Sequence, residues 1–536
     1  MLALGSGVAL GLSFPQPGWA GLAWVAPVGL LFAAVGLKGA EAFRLGYVAG
    51  LAQHLTALGW LLYIPFPIGN AAGWLALSGY LALYQGVWVW LCTRWSGLPP
   101  DQTSNWYATL DRLLSGPGWR RAIWALFCAA AWVALEMVQA RLFTGFPWNL
   151  LGTSQFRLIP VIQIAAYTGI YGVSFLIIWT SVCLGLTLIR VARQPTARWG
   201  WMVDMRLPLL VVVAIGSAGM YRMNVHPFDP PGIRIALIQP SIPQELIWDE
   251  RQDANRFQSI MRMSELALSA RPDLLVWPES AFPTVTAERY QAVTNLVMSR
   301  EISMVFGADD AEPVETGGDD PEYRHYNAAF LMDRSGQVTG TYRKRRLVVF
   351  GEYVPLARWL PFLRHFTPIQ GSFTPGDGPE VFELRDPKVR LSVLICFEDV
   401  FPHLAREHAL QGVDLLLNLT NNGWFGESSA QWQHAAAAVF RAIETGRPLV
   451  RATNNGLTCW IDPNGRIRDW LGQDDGDIYG VGFITVSVPV PPADRPETYY
   501  FRVGDRFGWA CVAVSLVGLA LGSCRRWWDA RHRPKA

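Results

Sequence analysis

Leu391-Ser392-Val393-Leu394-Ile395-Cys396-Phe397-Glu398-Asp399 is an apolar run that ends on a thiol and two acids. Leu274-Leu275-Val276-Trp277-Pro278-Glu279-Ser280 has the same form, with a carboxylate delivered just past a proline. Short apolar runs bounded in this way read as buried strands, and strand ends are where a scaffold displays its chemistry. Working outward, strands are expected at 233–239, 274–277, 303–308, 327–332, 391–397, 413–419, 449–453, 457–461 and 481–488. Helical stretches fall between them at 253–270, 287–300, 401–411 and 431–445. That alternation is the pattern of a layered α/β domain, placed here at 230–495. Residues 312–323, rich in glycine and acids, read as a surface loop, and no internal repeat is visible.

The rest of the chain differs in kind. Of 536 residues, 51% are hydrophobic, only 16% are charged and 25 are Trp, a balance that points to a membrane protein. The apolar excess is concentrated in residues 1–225 and 505–524. A hydrocarbon core of about 30 Å takes roughly 20 helical residues. Spans are therefore expected at 1–13, 18–36, 45–64, 71–91, 122–138, a segment ending near Leu188, 207–221 and 507–521, about eight transmembrane helices with about seven before residue 225. The first lacks the basic leader of a cleavable signal peptide and is read as retained. Lys38 and Arg44, then Arg94, Arg112, Arg120 and Arg121, then Arg190, Arg193, Arg198 and Arg206, and finally the basic tail 525–536 occupy alternate loops. Cationic loops stay cytoplasmic, so parity places the α/β domain on the far side, the periplasm of a bacterium. A net charge of +2 offers no basic excess, and no nucleic-acid partner is expected.

Seven cysteines, at 92, 128, 183, 396, 459, 511 and 524, form no disulfide framework, since five lie in or beside apolar spans. A Cys396–Cys459 bridge would quench the thiol. No Cys/His set has metal spacing, so neither a metal nor another cofactor is expected.

Three positions carry candidate chemistry. A carboxylate beside Trp277, partly desolvated, would have a raised pKa suited to general-base duty at Glu279; alone it reads more readily as a solvated loop acid. In Tyr342-Arg343-Lys344-Arg345-Arg346-Leu347-Val348-Val349-Phe350-Gly351-Glu352-Tyr353, Lys344 is placed to stabilise an oxyanion, with Glu352 positioning it. A basic patch is more often a solvated face or a headgroup contact. Cys396, with Glu398 close by, is a nucleophile that needs no histidine if a glutamate takes its proton, while a lone buried cysteine is usually packing. Glu136 and His54, inside spans, read as packing against polar neighbours.

The three motifs together resemble the nitrilase superfamily, whose Glu-Lys-Cys triad sits in an αββα sandwich. Further stretches resemble the apolipoprotein N-acyltransferases: Gln239-Pro240-Ser241-Ile242-Pro243-Gln244 with Trp248-Asp249, Asn418-Leu419-Thr420-Asn421-Asn422-Gly423-Trp424-Phe425-Gly426, Arg451-Ala452-Thr453-Asn454-Asn455-Gly456, Phe146-Pro147-Trp148, and Tyr500 through Asp505. The resemblance implies Cys396 as nucleophile, Glu279 as base and Lys344 as oxyanion stabiliser. It implies Glu352, Phe397 and Glu398 as supporting residues, and Trp248, Trp424 and Phe425 as aromatics at a lipid entrance. It also implies a phospholipid donor such as phosphatidylethanolamine, a diacylated apolipoprotein acceptor, an inner-membrane location and a monomer. Phe397 stands where the family often has Tyr, Val349 where Pro is usual and Ser241 where Asn is common. A membrane-anchored amidase and a non-catalytic lipoprotein-binding scaffold remain open as alternatives.

Overall fold

The computed structural model describes residues 1–95, 106–194, 200–225, 232–247, 250–282, 285–314, 322–357, 359–367, 371–472, 477–492 and 495–531. The chain divides into two compact units, one of Met1–Gly59, Gly73–Val225 and Arg502–Ala536, the other of Trp60–Ala72 and His226–Phe501.

The first unit is helical. Among the described residues, four helices are long and apolar enough to cross a membrane: Ile68–Trp95, Gly118–Gln139, Ile170–Arg193 and Arg206–Asn224. Leu2–Leu12, Ala40–Ala57 and Arg506–Arg531 are further helices in stretches expected to span. The stretch 18–36 is not one rod: a 3-10 turn, Ala20–Trp24, precedes the helix Ala26–Ala34, whose first turn holds Pro27. Proline has no N–H for the carbonyl four residues back, so it opens a helix rather than continuing one.

Between Gly118–Gln139 and Ile170–Arg193 the backbone runs through short turns, and polar side chains satisfy it. Glu136 accepts from the Leu151 N–H at 2.7 Å and the Trp132 indole at 3.0 Å, Gln139 donates to the Phe146 carbonyl at 3.0 Å, and the Ser174 hydroxyl accepts from the Gly152 N–H at 2.9 Å. Irregular backbone inside an apolar unit requires such partners. His54 lies 3.4 Å from the Gln85 amide. Packing against polar neighbours thus describes both residues.

The second unit is an αββα sandwich. Its strands are β1 (Gly232–Gln239), β2 (Leu274–Val276), β3 (Ser303–Val314), β4 (Glu322–Met332), β5 (Val338–Arg343), β6 (Phe382–Arg385), β7 (Lys388–Ile395), β8 (Leu415–Thr420), β9 (Leu449–Thr453), β10 (Cys459–Ile461), β11 (Ile467–Trp470) and β12 (Gly482–Pro489). One sheet has the order β12-β1-β2-β3-β4-β5 and the other β11-β10-β9-β8-β7-β6. Each is built around three parallel strands, β1-β2-β3 and β7-β8-β9, flanked by antiparallel ones. The two sheets share this plan although the sequence shows no repeat.

Alternation along β1 explains the layering. Ile233, Ile235 and Leu237 face the core between the sheets, while Ala236 and Ile238 face helices Glu250–Leu268 and Ala287–Arg300. Helices Pro402–Ala409 and Ala430–Thr445 pack against the second sheet. Strands buried on both faces read as continuous apolar runs, which is why β1, β2, β7, β8 and β9 stand out in the sequence. The three unexpected strands, β5, β6 and β11, are all sheet edges, where partial exposure permits polar residues and weakens the pattern. Residues 312–314 and 322–323 are not loop: β3 and β4 pair as far as Val314 opposite Glu322, and Arg343 holds Asp310 at 2.7 Å and Glu312 at 2.9 Å. Residues 315–321 lie outside the described residues.

Candidate active site

The site gathers where strands of both sheets end. Past β2, the Trp277 N–H still bonds the Val305 carbonyl at 2.9 Å, then Pro278 ends the ladder and Glu279 turns inward, only 6% exposed. β3 passes close behind. A Cβ at Gly307 would lie 2.8 Å from both Glu279 Cα and the Pro278 oxygen, so that approach requires glycine.

Lys344 follows β5 directly and is 1% exposed. Its Nζ donates to Glu279 Oε1 at 3.2 Å and to Glu352 Oε1 at 2.8 Å. Asn327, from β4, sends its Nδ2 to the same two oxygens at 2.8 Å each. Backbone N–H groups complete the carboxylates: Asn421 donates to Glu279 Oε2 and Val348 to Glu352 Oε2, both at 2.8 Å. Burial alone would push the Lys344 ammonium down, but the charges of Glu279 and Glu352 outweigh it and hold the group well above the ordinary lysine value.

Cys396 follows β7 directly and opens the 3-10 turn Cys396–Val400 with φ +55°. A left-handed non-glycine residue costs about 1–2 kcal/mol, so its surroundings must hold it. Asn418 Nδ2 bonds the Cys396 carbonyl at 2.8 Å, and the preceding Ile395 N–H is bound by Glu398 Oε2 at 2.8 Å. Burial, and next the negative charge of Glu279, push the thiol up to about 12, with Lys344 opposing. The resting group is therefore a neutral thiol that needs a base.

Glu398 is fully buried and accepts from four neutral donors, the N–H groups of Ile395, Arg345 and Arg346 and the Tyr342 hydroxyl, at 2.8 to 3.0 Å. It brackets the end of β7, just before Cys396, to the segment that follows Lys344. Phe397 lies with its ring centroid 5.7 Å from Lys344 Nζ and packs on Phe401, a separation at which an ammonium and a ring face attract.

The cationic patch divides in two. Arg343 and Arg345 pair with surface acids, the latter with Glu407 at 2.9 Å, and only Lys344 enters the site. Trp424 and Phe425 lie half-buried in the turn Asn422–Phe425, and Phe425 meets Trp60 edge to face at 4.6 Å. Trp60, expected inside the 45–64 span, belongs with the α/β unit and also donates to Gln433 at 3.1 Å. Trp248 lies outside the described residues. Cys396 and Cys459 are both free. Ser241 adopts φ +48°, a conformation that asparagine accepts more readily.

Asn327 carries no signal in the sequence. A single Asn within a strand has no signature, and its role depends on register, which also makes its carbonyl accept the Lys344 N–H at 2.8 Å. Asn421 sits in a motif the sequence does display, but the group that meets Glu279 is its backbone N–H.

An αββα sandwich with glutamate, lysine and cysteine brought together at strand ends is the layout of a carbon-nitrogen hydrolase, and residues 234–478 match that family. Residues 6–183 match the apolipoprotein N-acyltransferase N-terminal domain. The chain is 37% identical to the apolipoprotein N-acyltransferase of Geobacter metallireducens, covering 98% of this chain and 95% of that one, and 30% identical to that of Rhizobium rhizogenes, covering 89% and 86%. It belongs to the apolipoprotein N-acyltransferase family. Its α/β half is similar to the solved structure of an amidase of the nitrilase superfamily from Nesterenkonia, with 20% identity and a TM-score of 0.37 over 51% of this chain and 95% of that one.

Proposed function

We propose that the protein moves a fatty acyl chain from a phospholipid, through a thioester on Cys396, to the N-terminal amine of an S-diacylglyceryl cysteine. The observation that carries this reading is the Glu279 carboxylate, held between Lys344, Asn327 and the Asn421 N–H beside a neutral, left-handed Cys396.

In the first half-reaction Glu279 takes the thiol proton as sulfur attacks the ester carbonyl of the donor. Lys344, with the N–H that follows Cys396, stabilises the oxyanion. Collapse breaks the ester C–O bond, and Glu279 returns the proton to the departing lysophospholipid. In the second, the amine attacks the thioester, Glu279 accepts its proton, and the thiolate leaves and is reprotonated. Such a sequence is ping-pong. Glu352 positions Lys344, Glu398 holds both ends of the turn in register, and Phe397 faces the ammonium. Trp424 and Phe425 line the lipid entrance.

Burying an acyl chain in a groove open to the bilayer is favourable by about 0.8 kcal/mol per CH₂, which suits an enzyme anchored by apolar helices. The chain crosses the bacterial inner membrane about eight times, with the α/β domain, residues 230–495, on the periplasmic side and the basic tail 525–536 in the cytoplasm. Phosphatidylethanolamine is the donor and a diacylated apolipoprotein the acceptor, and the enzyme acts as a monomer without a cofactor.

Intact-protein mass spectrometry tests the reading. Wild type incubated with phosphatidylethanolamine should gain one acyl mass that a diacylated lipopeptide removes as N-acylated product, and Cys396→Ala should gain none. Release of the adduct only to water would move the assignment to an amidase. No adduct under turnover conditions would leave a binding scaffold.

A further inference from the structure

The base and the nucleophile come from different sheets, Glu279 past β2 and Cys396 past β7, so something must hold them in register. A buried polar chain runs between them. Asp399, in the turn that Cys396 opens, accepts from His434 Nε2 at 2.7 Å and pairs through its other oxygen with the Arg451 guanidinium. His434 Nδ1 lies 3.1 Å from the Asn422 amide, and the next residue back, Asn421, places its N–H on Glu279 at 2.8 Å. Asp399, His434, Arg451, Asn421 and Asn422 are each at most 2% exposed.

We infer that Asp399, His434 and Asn422 are positioning residues that fix the Glu279 carboxylate relative to the Cys396 thiol. The inference rests on the reading of Cys396 and Glu279 as nucleophile and base. It adds a tie between the nucleophile turn and the Asn421–Phe425 loop that the triad itself does not include.

The chemistry of the imidazole favours this role over simple packing. Its Nε2 faces a carboxylate, which keeps the proton on that nitrogen and leaves Nδ1 an acceptor. Turning the Asn422 amide, whose Nδ2 has no partner among the described residues, gives that acceptor a donor. Both ends of the ring then hold a defined partner and the loop cannot rotate freely against the turn. The charged groups facing His434 are Asp399 and Arg451, while Arg441, paired with Glu444 at 2.9 Å, bonds the Val400 carbonyl at the end of the same turn at 3.2 Å.

The test uses the full-length enzyme in lipid nanodiscs and two readouts, the rate of acyl-enzyme formation from phosphatidylethanolamine and the pH profile of Cys396 alkylation by iodoacetamide, located by peptide mapping. His434→Gln and Asn422→Ala should each slow acylation about tenfold and slow Cys396 alkylation about as much at every pH below the thiol's own ionisation, because Glu279 no longer meets the thiol squarely to take its proton. The double variant should be no worse than the larger single effect, since both cut one tie. Asn422→Ala leaves the helix that carries His434 intact and gives the same readout if His434→Gln fails to fold. A lower Tm with an unchanged alkylation profile, or effects that simply add, would overturn the inference. Failure of the wild type to form any acyl-enzyme would instead remove the acyltransfer reading, and the alkylation profile, which needs no phospholipid, would still judge the tie.

Discussion

Glu279 and Glu398 both leave the end of an apolar strand and both are buried, yet their surroundings differ. Glu279 shares the Lys344 ammonium and the Asn327 amide with a second carboxylate, Glu352, and takes one backbone N–H. Glu398 is held by three backbone N–H groups and the Tyr342 phenol, all neutral and all aimed at it alone. A shared, ionic setting can let a proton arrive and leave with little rearrangement. A carboxylate claimed by four fixed donors is a bracket, and burial still pushes its pKa up against those N–H groups. Burial of an acid does not by itself mark a base; what matters is whether its partners are already committed.

Glu279→Gln should lower the rate of acyl-enzyme formation by about 10³-fold, within the usual range for losing a general base, while Tm moves by only a few degrees because Lys344 keeps Glu352. Glu398→Gln should do the reverse. Its amide N–H₂ would face donors that need an acceptor, at a cost of about 3 kcal/mol, read as a clear fall in Tm, and the surviving folded enzyme should keep more activity than Glu279→Gln. Equal losses of activity at unchanged Tm would show that the two acids share one task.

A pH measurement sharpens the Glu398 side. His408 packs edge to face on Tyr342 and its Nδ1 meets the Ser392 hydroxyl at 2.8 Å; burial first, and the Arg345 charge next, hold its pKa down at about 3. An unfolded histidine titrates near 6.5. The unfolded chain therefore gains a proton that the folded one refuses, and this contribution to stability, complete above about pH 6.5, is lost as pH falls toward 3. The loss is about 1.4 kcal/mol per pH unit. Tm should drop across that window in wild type and less steeply in His408→Phe. An identical slope in both would place the acid sensitivity elsewhere.

Much of the fold is legible in the sequence. Runs such as 391–396 and 274–276 are apolar on both faces because their strands lie between a helical layer and a second sheet, and that double burial makes them visible. The edge strands β5, β6 and β11 stayed hidden because half-solvated positions accept Thr, Gly, Glu and Arg without cost. Lys344 was one cation in a run of four, and only its insertion between Glu279 and Glu352 separates it from Arg343, Arg345 and Arg346.

Composition and apolar periodicity are local properties, so the sequence by itself determined the division into apolar helices and an α/β domain, the central strands, and the identities of the acid, cation and thiol that end up at strand ends. Hydrogen-bond partners and backbone strain depend on segments far apart in the chain meeting at a fixed register. For that reason only the tertiary structure decided that Asn327 serves two carboxylates at once, that Glu398 is a bracket, that Cys396 sits at a left-handed turn, and that Trp60 packs on Phe425 within the α/β unit.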